Sequence, residues 1–123
     1  MNYVRGGALL VFAVFATSFV ASVSEVQAAG FDCRYAKSHV EKLICADTEL
    51  SRLDSKLKDL FVKVQNETSG HDGETGALID PIGDEQRQWR ETVRDRCPDV
   101  SCLRRAYDAR IRQVQEKWSE VSQ

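Results

Sequence analysis

Histidine, methionine and tryptophan are scarce in this chain of 123 residues, which has two, one and two of them. His39 and His71 are the only imidazoles, too few for a histidine-based metal site or an extended acid–base network. There is no C-x-x-C, no H-E-x-x-H, no G-x-S-x-G and no phosphate-cradling glycine loop. Zinc-peptidase, serine-hydrolase and nucleotide-phosphate chemistry therefore lack their residues. The expectation is a protein that is not an enzyme and has no metal and no cofactor. An excess of positive charge is also missing: 17 Lys and Arg stand against 19 Asp and Glu, for a net charge of −2. That balance argues against a general nucleic-acid binder. No alternating β-branched run reaches strand length, and no internal repeat is evident.

The first segment that is present is a leader. Met1 to Arg5 carries one arginine, and Ala8 to Val23 is an unbroken run without a charge. Val26-Gln27-Ala28 then places small residues at the −3 and −1 positions of a signal-peptidase site. This is the pattern of a cleavable secretory signal over residues 1–28. A membrane anchor is the competing reading, but the run is short for a span of roughly 20 residues. Gly30-Phe31-Asp32 before Cys33 is not a lipobox, so no lipid tether is expected. The expected product is a periplasmic or secreted domain over residues 29–123, not inserted in the membrane and monomeric.

Export decides how Cys33, Cys45, Cys97 and Cys102 are read. In an oxidising compartment they are structural disulfides rather than metal ligands or redox thiols. Their spacing favours Cys33–Cys45 and Cys97–Cys102, although a crossed pairing is not excluded by sequence. A domain of about 95 residues has a thin core and gains from such staples.

The remainder reads as helix. Ser38-His39-Val40-Glu41 is a capping box for a short helix to about Cys45. Asp47 is the next N-cap candidate. Leu50, Leu53, Leu57, Leu60, Phe61 and Val64 form one apolar stripe on a long helix. On that helix, Asp54 to Lys58 and Asp59 to Lys63 are acid-first i,i+4 pairs. A third helix from Asp84 or Glu85 is expected to carry Trp89 and Val93 inward and to end before Pro98. Asp99 or Ser101 then caps a fourth, with Leu103, Ala106, Tyr107, Ile111, Val114, Trp118 and Val121 on its inner face. The expected fold is all-α: a small antiparallel bundle of one short and three longer helices, stapled by two disulfides.

Residues 68–83 read as a long polar loop, a type that in compact domains is often functional. Ala77-Leu78-Ile79, its apolar part, is expected to dock on the helices. Glu67, Asp72, Glu74, Asp80, Asp84 and Glu85 lie in a stretch without Lys or Arg. Asp72, Glu74 and Asp80 are the candidate partner-binding residues. After them comes an arginine-rich half, including Arg87, Arg90, Arg94, Arg104 and Arg110, read as a solvated face.

Three ordered pieces resemble a known family. They are Phe31-Asp32-Cys33 with Val40-Glu41-Lys42-Leu43-Ile44-Cys45-Ala46-Asp47, then Gln86-Arg87-Gln88-Trp89, then Cys102-Leu103 with Tyr107. Together they are similar to the LprI-like family, whose name comes from a mycobacterial lipoprotein described as a lysozyme inhibitor. The resemblance implies a small, exported helical domain with paired cysteines. It also implies a binding function, with a lysozyme-type muramidase as the protein partner. An envelope structural or assembly module, or a toxin-immunity protein without lysozyme affinity, is the alternative. No site residue carries over, because the shared motif consists of cysteines, caps and core positions.

Overall fold

A computed structural model describes residues 29–121. The leader read over residues 1–28 lies outside them. Among the described residues there are four α-helices: α1 (His39–Ala46), α2 (Thr48–Thr68), α3 (Pro81–Thr92) and α4 (Val100–Lys117). Between α2 and α3 stands a two-stranded hairpin of β1 (Gly70–His71) and β2 (Leu78–Ile79).

Local chemistry explains each helix start. Ser38 Oγ accepts from Glu41 N while the Glu41 carboxylate accepts from Ser38 N, a closed capping box. Asp47 ends α1 and caps α2, accepting from Leu50 N at 2.8 Å. Asp99 caps α4 through Cys102 N at 2.8 Å. These N–H groups have no partner inside their helices, so each cap satisfies a donor that would otherwise be unpaired. Leu50 N holds the Asp47 carboxyl below its ordinary pKa, and Ser38 N does the same for the Glu41 carboxyl. For Asp47 the bond to Leu50 N is the largest cause, and for Glu41 it is the bond to Ser38 N.

Side-chain contacts set the helix directions. Asp47 at the start of α2 meets Arg104 near the start of α4 (2.9 Å), and Asp54 meets Tyr107 (2.6 Å). The two helices therefore run the same way. Glu85 meets Lys117, and Trp89 lies edge-on to Tyr107 at 5.2 Å, so α3 runs against α4. The core between them holds Leu50, Leu53, Leu57 and Val64 of α2, Ile82 and Trp89 of α3, and Leu103, Tyr107, Ile111 and Val114 of α4. Helix α1 adds Val40 and Ile44 at one end, tied to α2 by Ser51 Oγ donating to Ile44 O at 2.7 Å.

Both favoured disulfides form. Cys33–Cys45 fastens the N-terminal segment to the end of α1, and Cys97–Cys102 closes the corner into α4. His39 Nε2 lies 3.0 Å from Pro98 O, which brings the start of α1 against that same corner.

Several expectations are corrected. Helix α3 starts at Pro81 and not at Asp84, because Asp80 caps it through Gly83 N at 3.0 Å. Proline at the first helical position has its φ preset and loses no hydrogen bond. A Cβ at Gly83 would stand 2.0 Å from the Asp80 carboxylate, so glycine leaves the cap undisturbed. The helix ends at Thr92, so Val93 caps it and is 43% exposed instead of buried. A 3-10 turn over Arg94–Arg96 follows, well before Pro98. Arg94 and Arg110 do not lie on a solvated face: the Arg94 side chain is 12% exposed and Arg110 is buried. Gln86 and Gln113 accept from Arg110 Nε and Nη1 at 3.1 and 2.7 Å, which compensates part of its desolvation. Burial still pulls its pKa down against the nearby Glu85 carboxylate.

Candidate functional site

The polar segment between α2 and α3 is an ordered finger. Strands β1 and β2 pair antiparallel, Gly70 opposite Ile79 and His71 opposite Leu78. Asp72 organises the connection between them. Its Oδ1 accepts from Thr75 N (2.7 Å), Thr75 Oγ1 (2.7 Å) and Glu74 N (3.1 Å). Its backbone N–H donates to Ala77 O, and its carbonyl accepts from Gly76 N, both at 2.9 Å. Gly76 has φ +70°, a left-handed conformation that glycine adopts without steric cost. The bonds from Thr75, then those from the backbone, hold the Asp72 carboxyl below its ordinary pKa.

The three acids read as partner-binding are thus separated in role. Asp72 is half-buried in its own turn and spends its carboxylate internally. Asp80 caps α3 and also accepts from Gln65 Nε2 at 2.7 Å, which ties the base of the finger to α2. Glu74 alone is exposed at the tip. Leu78 and Ile79 do not dock on the helices: they are 67% and 48% exposed. Short strands on an isolated hairpin leave no second layer to cover them. Apolar character alone points such residues inward, because apolar residues are usually buried. Leu78 and Ile79 thus stand exposed beside Glu74 on a projection from the bundle.

A cleft of about 340 Å³ opens on the bundle, where the N-terminal segment crosses α2 and α3. Asp54 is the pin of this crossing: its Oδ2 accepts from Gly30 N at 2.8 Å and its Oδ1 from Tyr107 Oη at 2.6 Å. Burial, and then the Asp54 carboxylate, push the Tyr107 pKa far up. Arg94 lies beside the same phenol, and its Nε donates to Asp95 at 2.7 Å. Burial opposes the Arg94 charge, but Asp95 and Tyr107 outweigh it and its pKa is raised. None of these groups forms a nucleophile–base pair. Among the described residues no group of three or more His, Cys, Asp or Glu could hold a metal ion.

The model of a family described as lysozyme inhibitor LprI matches residues 33–119. The chain belongs to the LprI family. The match takes in all four cysteines, the finger and every helix. No curated protein and no solved structure matches the chain. For this LprI domain the family description names an inhibitor and not an enzyme, which accords with a binding surface rather than a reaction centre. The positions shared with the family in the sequence have structural tasks. Glu41 closes a cap, Cys45 and Cys97 are bridged, and Tyr107 holds Asp54. The finger carries none of those motifs, and so motif reading does not reveal it. The signal that could have found it is the Asp72–Thr75 spacing, that of a side-chain-stabilised turn, followed by a glycine suited to positive φ. Among the described residues no helix is long and apolar enough to cross a membrane.

Proposed function

We propose that this protein is an exported inhibitor of lysozyme-type muramidases, and that the finger over residues 70–79 is its contact element. The family match carries this reading, and the form of the finger supports the choice of surface. Many host lysozymes are basic, with a carboxylate-lined cleft. Glu67 and Glu74, in a stretch without Lys or Arg, would be steered toward the basic surface. The cleft carboxylates would repel those acids, so the aliphatic pair Leu78 and Ile79 is the part suited to enter. The Asp72 turn fixes their geometry beforehand, which lowers the ordering cost of association. The two disulfides support an oxidising location, and removal of residues 1–28 would deliver the domain there as a monomer.

The test is a cell-wall turbidity assay with oxidised protein and a basic lysozyme. Stoichiometric inhibition is expected, weakening as salt rises. Undiminished lysis at a large molar excess would refute the reading.

A further inference from the structure

The cleft beside Asp54 has features that lysozyme inhibition does not use. Its walls are Phe31, Phe61 and the nearly buried Trp89, and three cations converge on it: Lys58, Arg90 and Arg94. The Lys58 and Arg90 side chains make no hydrogen bond or ion pair with any described residue. Among the described residues Asp54 is the one acid in the lining, both its oxygens are already occupied by Gly30 and Tyr107, and Asp95 pairs with Arg94 from outside it. The local balance is therefore positive on a chain whose net charge is −2. Arg94 is fixed through its Nε by Asp95, so its guanidinium is oriented in advance.

We infer that this cleft binds a carboxylated sugar of monosaccharide size. A guanidinium flanked by two free cations is matched to a carboxylate. Aromatic walls suit the aliphatic face of a pyranose ring, and the amide nitrogen of Gln86, whose oxygen is taken by Arg110 Nε, offers a donor to a hydroxyl or an acetamido oxygen. The volume lies at the small end of ligand sites, which excludes an extended oligosaccharide from the cleft itself. The site is separate from the finger, so sugar binding and lysozyme inhibition fail independently.

The experiment is an amide-resonance titration of the oxidised protein with N-acetylmuramic acid. N-acetylglucosamine, D-glucuronate and D-lactate form the comparison arms. Saturable shifts at Gly30, Phe31, Arg90 and Arg94 are expected with N-acetylmuramic acid. D-glucuronate is expected to move the same resonances, and N-acetylglucosamine should leave them in place. The exposed-site double variant K58Q/R90Q should bind at least tenfold more weakly while keeping its fold. Equal binding of N-acetylglucosamine would remove the carboxylate from the account. Binding of D-lactate as tight as that of N-acetylmuramic acid would remove the sugar. Shifts elsewhere, or a double variant of unchanged affinity, would overturn the site.

Discussion

Truncating the two exposed aliphatic residues of the finger should weaken lysozyme inhibition without loosening the fold. Fully burying a leucine or isoleucine side chain is worth about 1.5–3 kcal/mol. Leu78 is 67% exposed and Ile79 is 48% exposed, so those fractions bound what a partner can still bury. Scaling the two contributions and leaving the Cβ atoms in place gives about 1.5–2.5 kcal/mol for L78A/I79A together. The inhibition constant should then rise about 10- to 70-fold. The assay is inhibition of cell-wall lysis across a concentration series, with a thermal melt of the same samples. The melt matters because neither side chain belongs to the core, and its midpoint should stay within about 2 °C of the parent, as for other exposed sites. An inhibition constant within twofold of the parent, with the melt unchanged, would refute the assignment of the finger as the contact element.

Four further outcomes follow from the contacts described. Y107F removes the 2.6 Å bond to Asp54 and should cost about 1.5–3 kcal/mol, as for bonds to charged groups. In a domain of this size that lowers the melting midpoint by about 6–24 °C, and a shift under about 2 °C would contradict the role given to the phenol. Replacing Cys33 and Cys45 by serine opens the longer loop, separation 12 against 5 for Cys97–Cys102. Denaturant titration should show a loss of about 3 kcal/mol, against about 2 kcal/mol when Cys97 and Cys102 are replaced instead, and the reverse ranking would exclude loop entropy as the cause. G83A should displace the Asp80 carboxylate from its cap and cost about 1 kcal/mol, read by the same titration, with an unchanged midpoint counting against the cap. In acid, Asp47, Glu41, Glu49 and Asp72 all have lowered pKa values in the folded state. Their contributions are complete above the unfolded values of about 4 and are lost as pH falls through the lower folded ones. Stability should be level from pH 7 to about 5 and decline below about 4, and a decline centred near pH 6 would be inconsistent with these groups.

What could be read from the sequence was local. The Ser38–Glu41 box and the Asp47 and Asp99 caps depend on residues three positions apart, so their spacing announces them. The α2 stripe from Leu50 to Val64 is periodic, and close cysteine pairs limit their own partners. The misread residues depend on distant contacts. The i,i+4 spacing offers Asp54 to Lys58 one turn away, but Tyr107 and Gly30 take it, and they approach only after the bundle closes. Arg110 is admitted to the core by Gln86, 24 residues distant. Arg94 turns inward because α3 stops at Thr92 and the 3-10 turn rotates the chain. Asp80-Pro81-Ile82-Gly83 has the composition of a loop and the geometry of a helix start. The finger was legible as an acidic segment but not as a hairpin, since its strands are two residues each and a side-chain bond holds its turn.

Hydrogen exchange of the oxidised protein, with and without a catalytically inactive basic lysozyme, tests the central claim most directly. Slowed exchange is expected at the amides of residues 70–79, with the far end of α4 unchanged. Protection confined to the helices, or none at saturating lysozyme, would contradict the account.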